Sequence, residues 1–92
     1  MYKLFRILGN GEVGVPFRAD TAEEIAKHIE ETGLKHFYVC RLENVYHSYI
    51  VIMRVDGSEF IIRSKVPAAL KRVYDRLQEA HKREVLERSN EF

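Results

Sequence analysis

Arginine is the residue type whose spacing most clearly suggests chemistry in this sequence, because one arginine falls in each of five segments rich in β-forming residues. These arginines are Arg6, Arg18, Arg41, Arg54 and Arg63. A guanidinium group donates planar, paired hydrogen bonds to carboxylates and phosphates. On a sheet, arginine together with lysine, tyrosine and histidine could also build a metal-independent ribonuclease. The residues available for such a site are Arg41, Arg54, Arg63, Lys65, Tyr46 and His47.

The other reactive side chains form no catalytic or metal-binding motif. The only cysteine is Cys40, and the four histidines are scattered at His28, His36, His47 and His81. A zinc site needs cysteine and histidine at ligand spacing, and the sequence has neither a phosphate-binding glycine loop before a helix nor a nucleophile elbow. We therefore predict no catalytic residues, no metal, no cofactor and no small-molecule ligand. This favours a binding module, although an enzymatic role stays open.

Length and composition limit the class of protein. A chain of 92 residues, 46% hydrophobic and 32% charged, predicts one folded domain over residues 1–92 and excludes a disordered chain. The net charge of +1 argues against a polybasic tail and against an acidic mimic of nucleic acid. The sequence shows no membrane-spanning run and no signal-peptide pattern. A single cysteine is typical of a reducing compartment, so we expect a cytoplasmic protein.

The pattern along the chain predicts an α+β fold in the order ββαβββα, with an antiparallel-rich sheet of about five strands and both helices on one face. Thr21 begins a helix-capping box, Gly33 suits a C-terminal helix cap, and Pro16 predicts that the second strand lies at a sheet edge or carries a bulge. The predicted strands are Tyr2–Leu8, Glu12–Arg18, His36–Asn44, Tyr46–Val55 and Ser58–Ser64, and the predicted helices cover residues 20–33 and 66–89.

Alternation along each strand assigns side chains to the two sheet faces. Because an unpaired buried guanidinium is costly, we predict that each strand arginine points away from the helices. The opposite parity would form the core: Phe5, Ile7, Val13, Val15, Phe17, Tyr38, Cys40, Leu42, Tyr49, Val51, Met53, Phe60 and Ile62. The helix-free face would then be unusually apolar, which is typical of an interface. The residues predicted to bind a partner there are Arg41, Arg54, Arg63, Phe37, Val39, Ile50, Ile52 and Ile61.

Two other interpretations of that face remain open. A β-bulge in any strand would shift the parity and return some of these apolar side chains to the core. Alternatively, Glu12, Glu43 and Glu59 could pair with the arginines as ordinary ions on a solvated surface.

The second helix is long for a chain of this size. Its apolar stripe is predicted to end near Ala80, so the helix should overshoot the body, and residues 86–92 either fray or dock on a partner. Its basic residues, with the lysine before it, are candidate phosphate ligands: Lys65, Arg72, Arg76 and Arg83. Interleaved acids also suit a solvated face with internal ion pairs.

Two family resemblances bear on function. From Thr21 onward the predicted order α-β-β-β-α is similar to that of double-stranded-RNA-binding domains. Ser64-Lys65 followed by Ala68-Ala69 resembles the start of that family's second helix, and His47 falls near its loop histidine. The segment Phe37 to Arg63 also resembles the strands of RelE-type ribonuclease toxins. These resemblances imply RNA binding and metal-independent RNA cleavage, respectively.

The leading prediction is a small non-enzymatic module that uses its Arg-rich apolar sheet face to bind a protein partner or a second copy, with the long second helix as a further candidate surface. Arginines would oppose arginines across a symmetric interface made by the sheet face, which favours an acidic partner, or else a homodimer formed through the second helix. RNA binding is the first alternative and a RelE-like ribonuclease is the second. No membrane partner is predicted.

Overall fold

The computed structural model describes residues 1–44, 46, 48–63 and 65–89. It confirms the α+β fold and the order ββαβββα, with one five-stranded antiparallel sheet in the spatial order β2-β1-β3-β4-β5. The strands are β1 Tyr2–Arg6, β2 Phe17–Ala19, β3 His36–Leu42, β4 Tyr49–Asp56 and β5 Glu59–Ile62, and the helices are α1 Ala22–Thr32 and α2 Ala68–Ser89.

The second strand is much shorter than the sequence predicts. Between β1 and β2 the chain forms a turn through Gly11, with a positive φ of 84°, and a single bridge joins Ile7 to Val13. Regular pairing resumes only at Phe17, after Pro16, which has no backbone N–H to donate. β2 therefore lies at a sheet edge, as predicted.

The first helix forms where its caps indicate. Thr21 accepts a hydrogen bond from the Glu24 backbone N–H at 3.3 Å, and Gly33 takes the left-handed conformation that ends the helix. One stripe of α1 is buried: Ala22, Ile25, Ala26 and Ile29. The cap therefore fixes which helical stripe covers the sheet.

The core lies between the two helices and one face of the sheet. Both helices and the four strands β1 to β4 contribute buried residues to one cluster. The sheet residues of the cluster are Leu4, Ala19, Phe37, Val39, Ile52, Met53 and Val55, and those of α2 are Ala69, Leu70, Val73 and Tyr74. Phe17, Phe60 and Ile62 pack against the cluster, as the parity predicts for them.

The predicted assignment of faces is wrong in β1 and β3. Phe37 and Val39 are fully buried beneath the helices, whereas Phe5 and Tyr38 stack on each other on the opposite face, with ring centroids 4.9 Å apart. The reason is that Arg6 lies at the end of β1, on the helix-covered side, and is exposed there. An arginine near a strand end keeps its charge in water by extending beyond the sheet, so it does not mark the outward parity.

Arg41 in β3 departs from the prediction for the same reason. By register it shares the helix-covered side with Tyr2, but its guanidinium reaches the end of the sheet. There Nη1 donates to the Lys65 carbonyl oxygen at 3.0 Å and Nη2 approaches Glu43 at 3.5 Å. Arg41 therefore spans the junction between β3 and the segment that leads into α2.

A β-bulge corrects the prediction for β4. The register passes from Val39↔Met53 to Cys40↔Val51, so Ile52 is an extra residue on β4. Ile52 and Met53 are both fully buried, and the parity of the preceding residues is reversed. Ile52 is therefore a core residue and not a binding residue, while Val51 points away from the helices.

The second helix overshoots the body, as predicted. Its buried residues end at Tyr74, Leu77 still packs against the core, and residues 82–89 are all exposed. The exposed part includes Val85 and Leu86. The predicted fraying or docking of residues 86–92 concerns in part residues 90–92, which lie outside the described residues.

Candidate functional site

The sheet face that no helix covers is the largest candidate site, and we call it the open face. Its members follow from the register with Tyr38, which lies opposite the core. They are Lys3 and Phe5 of β1, Arg18 of β2, Tyr38, Cys40 and Leu42 of β3, Tyr49, Val51, Arg54 and Asp56 of β4, and Glu59 and Ile61 of β5. Of the predicted partner-binding residues, the structure places Arg54, Ile61 and Arg63 on this side.

The centre of the open face is a hollow of about 400 Å³, which we call the open-face hollow. The turn between β1 and β2 forms one wall, and β5 with the residue after it forms the other. The hollow is lined by Ile7, Gly11, Val13, Tyr38, Val51, Arg54, Ile61 and Arg63. Val13, Val51 and Ile61 remain 41–48% exposed. An aliphatic floor and two guanidinium groups therefore share one concave surface.

The charges around the hollow are not evenly compensated. Arg54 Nη2 lies 2.9 Å from Asp56 Oδ2 and 3.8 Å from Glu59, so two carboxylates neutralise this guanidinium. Arg63, on the other side of the hollow, makes no ion pair with any described residue. The unneutralised positive charge therefore lies on the Arg63 side.

Asp56 is the centre of a small polar cluster at the β4–β5 turn. Its Oδ1 accepts a hydrogen bond from His36 Nδ1 at 2.9 Å, while Oδ2 faces Arg54. These hydrogen bonds, from His36 first and Arg54 second, hold the pKa of the Asp56 carboxyl below its usual range. The cluster fixes the end of the open face.

Two groups of the open face that could act as nucleophiles, Tyr38 and Cys40, are not activated. Burial raises the pKa of the Tyr38 hydroxyl and that of the Cys40 thiol, so both groups stay protonated near neutral pH. Cys40 is buried, as expected for a small packed residue, but it lies opposite Lys3 on the open face and not in the helix-covered core.

A second recess, which we call the edge recess, lies at the end of the sheet and has a volume of about 490 Å³. It is lined by Arg41, Glu43, Ile50, Val51, Arg63 and Lys65. Val51 and Arg63 also line the open-face hollow, so the two cavities are adjacent. Two further predicted residues, Arg41 and Ile50, are thus brought beside Arg63, although both lie on the helix-covered side by register.

The structure does not bring the predicted phosphate ligands together with the open face. Arg72, Arg76 and Arg83 lie along α2, in the layer on the other side of the sheet. Arg76 is paired with Glu30 of α1 at 2.8 Å, whereas Lys65 belongs to the edge recess. Among the predicted ribonuclease residues, Tyr46 is exposed in the β3–β4 connection. His47 lies outside the described residues.

Sequence reasoning missed four lining residues of the hollow by placing them in the core: Ile7, Val13, Tyr38 and Val51. One signal could have corrected Val51. Residues 50–53 are four consecutive apolar side chains, Ile-Val-Ile-Met, and strict alternation would expose two of them. A bulge at Ile52 resolves this conflict by burying two neighbours together.

Within residues 1–44, 46, 48–63 and 65–89, no group of three or more His, Cys, Asp and Glu side chains is placed to hold a metal ion. Neither described helix combines the length and the apolar character needed to cross a bilayer.

Comparison of the chain with protein-family models, curated proteins and solved structures gives no match.

Proposed function

We propose that this chain is a protein-interaction module that binds an acidic protein partner through its open face. The observation that carries the proposal is the open-face hollow, where aliphatic side chains line one concavity together with the guanidinium of Arg63, which pairs with no acid among the described residues. On the partner, a carboxylate would bind the Arg63 guanidinium, and an adjacent aliphatic side chain would pack against the aliphatic lining of the hollow.

Apolar burial supplies the free energy of this proposal. Full burial of an aliphatic side chain is worth about 1.5–3 kcal/mol, and a half-exposed one can still gain roughly half of that. Val13, Val51 and Ile61 are each nearly half exposed in the hollow. Aromatic and arginine side chains, as supplied by Tyr38 and Arg63, are also enriched at the centres of protein interfaces.

The same surface is less well suited to RNA. Phosphate-led binding needs several uncompensated basic groups, and Arg54 is already held by two carboxylates. Base stacking needs exposed aromatic faces, whereas Phe5 and Tyr38 are stacked on each other and partly buried. The charge and the apolar lining thus favour a carboxylate-bearing polypeptide.

A peptide-display selection on the immobilised chain tests the proposal. We expect the enriched peptides to carry Asp or Glu beside Ile, Leu or Val, and we expect Ile61→Glu and Arg63→Glu each to abolish the enrichment. The matched control is Val85→Glu on the exposed end of α2, where the side chain is 47% exposed compared with 42% for Ile61. This control should select the same peptides as the unchanged chain.

Other binding modes give different results in parallel assays. A light-scattering mass of a dimer that Ile61→Glu converts to monomer would show that the face binds a second copy. A gel shift of duplex RNA at low salt that Arg63→Glu removes would show an RNA surface instead. Either result, or a display selection unaffected by Ile61→Glu, would overturn the acidic-partner proposal.

A further inference from the structure

Among the described residues, no strand lies beside the first half of β4 on the β5 side. β5 pairs with Met53 through Asp56, and the last contact of this kind is the Arg63 N–H, which donates to the Ile52 carbonyl at 2.8 Å. β4 begins four residues before Met53, at Tyr49. At Lys65, whose φ of 66° is left-handed, the chain turns toward α2. Among the described residues, no strand pairs with Tyr49, Ile50 or Val51 on this edge.

We call the side of β4 that faces away from β3 at Tyr49–Val51 the vacant edge. The backbone N–H and C=O groups of Tyr49 and Val51 point away from β3 there. Leu42 donates its N–H to the Met1 carbonyl on the β1 side, at 3.0 Å, and is the register partner of Tyr49. In an antiparallel ladder, bonded and non-bonded pairs alternate. The Tyr49 N–H and C=O therefore face away from β3, and those of Val51, two residues on, do the same. The next pair fits this alternation, because the Glu43 N–H donates to the Ser48 carbonyl at 2.7 Å.

The edge recess straddles this vacant edge. It is lined by Ile50, which lies on the helix-covered side, and by Val51, which lies on the open face. The two side chains are 40% and 41% exposed. A cavity lined from both faces of one strand has the shape that an added strand would fill, since alternate side chains of that strand contact opposite faces.

The two outer strands of the sheet, β2 and β5, are protected against pairing with a strand of another chain, unlike the Tyr49–Val51 stretch of β4. β2 is only three residues long and follows Pro16. In β5, the Tyr74 hydroxyl donates to the outward carbonyl of Phe60 at 3.2 Å. The sequence Tyr-Ile-Val at the vacant edge carries neither a proline nor a charge of its own. The charged residues that line the recess beside it are Arg41, Glu43, Arg63 and Lys65. Glu43 lies 3.5 Å from Arg41, so the excess charge is the positive charge of Arg63 and Lys65, which would repel the same edge of a second copy.

From this geometry we infer that the acidic partner binds as an extended segment that adds a strand to the edge of β4 at Tyr49–Val51. The inference rests on the proposed function and names the binding mode. Main-chain hydrogen bonds to Tyr49 and Val51 supply the pairing, while Arg63 and Lys65 select carboxylates on the added segment. Val51 and Arg63 join this edge to the open-face hollow, so one partner can occupy both.

The test uses a capped peptide of about nine residues that alternates Glu and Val, titrated into the whole chain and followed by amide NMR. We expect hydrogen exchange at the Tyr49 and Val51 amides to slow by about ten-fold when the peptide is bound. The same peptide with N-methyl groups on alternate residues keeps its side chains but loses its donors. It should bind at least roughly ten-fold more weakly. A matched Lys–Val peptide should not bind.

A pair of variants isolates the backbone donor of Val51. Val51→Pro removes the outward N–H, and a proline is tolerated at an edge position whose N–H faces away from the neighbouring strand. Val51→Ala shortens the side chain further than Val51→Pro does but keeps the N–H, so weaker binding by the proline variant reports the loss of the donor. We expect Val51→Pro to bind the Glu–Val peptide about ten-fold more weakly than Val51→Ala. If Val51→Pro does not fold, the N-methyl peptide still decides the question.

The outcomes separate the binding mode from the proposed function. Equal binding of the N-methyl peptide, with shift changes at Val13 and Ile61 but not at the Tyr49 and Val51 amides, would overturn strand addition and leave the docking face intact. Failure of the Glu–Val peptide to bind, together with a display selection unaffected by Ile61→Glu, would overturn both. Binding of the Lys–Val peptide with equal affinity would overturn the acidic character of the partner segment.

Discussion

Both faces of this sheet carry apolar side chains, but these side chains lie in different environments. The helix-covered face holds Phe37, Val39 and Ile52, all fully buried, whereas the open face holds Val51 and Ile61, which are more than two-fifths exposed. Hydrophobic content alone therefore does not distinguish the core from the surface. The difference is made by the helices, whose apolar stripes can cover only one face.

Truncating one isoleucine on each face to alanine tests this comparison, and it is the test with the largest expected change in the free energy of unfolding. Ile52→Ala should lower the free energy of unfolding by about 2–5 kcal/mol, because it leaves a cavity in a packed core. Ile61→Ala should cost less than about 1 kcal/mol, because its side chain is already partly hydrated.

Urea denaturation followed by circular dichroism measures both truncations. If Ile52→Ala does not fold, Ile52→Val keeps the comparison measurable with an expected loss of about 0.5–1.5 kcal/mol. An equal loss in the free energy of unfolding for Ile52→Ala and Ile61→Ala would mean that the two faces are covered to the same extent.

On the helix-covered side of the sheet, removing the N-terminal cap of α1 should lower the free energy of unfolding by a smaller amount. Thr21→Ala removes the acceptor for the Glu24 N–H and should lower the free energy of unfolding by about 1 kcal/mol. The matched control is Thr32→Ala at the other end of α1. The Thr32 hydroxyl donates only to carbonyls of its own helix, so its removal should change stability by less than about 0.5 kcal/mol. Thermal or urea unfolding of the two variants distinguishes them.

The polar cluster of the open face should show the smallest effect, and one that depends on pH. The pKa of Asp56 is lowered in the folded chain, so near pH 4 and below the unfolded chain binds more protons. The contribution of Asp56 to stability is complete above about pH 5. It is lost as the pH falls below about 4 and through the lowered pKa of the folded chain. Asp56→Asn should therefore destabilise the chain at pH 7 and make little difference near pH 2. Urea unfolding at a series of pH values checks this, and a constant difference would contradict it.

Local chemistry explains which parts of the fold could be predicted. Thr21 and Gly33 bound α1 through contacts within a few residues, and the α2 stripe depends only on helical periodicity. The assignment of faces failed because it depends on position along a strand. Arg6 and Arg41 extend beyond the sheet from its covered side, and the bulge at Ile52 reverses the parity of β4. The strand order and the vacant edge arise from pairings between distant segments, which no local pattern encodes.

The overshooting end of α2 leaves its own sequence largely unconstrained by packing. Residues 82–89 contact no buried cluster, so substitutions that keep the helix there should be tolerated. Each added or removed residue would lengthen or shorten the rod by about 1.5 Å without altering the interior. A probe attached to the C-terminal end of α2 would therefore measure the distance between that end and a second probe on the open face. It would do so without disturbing the surface proposed to bind the partner.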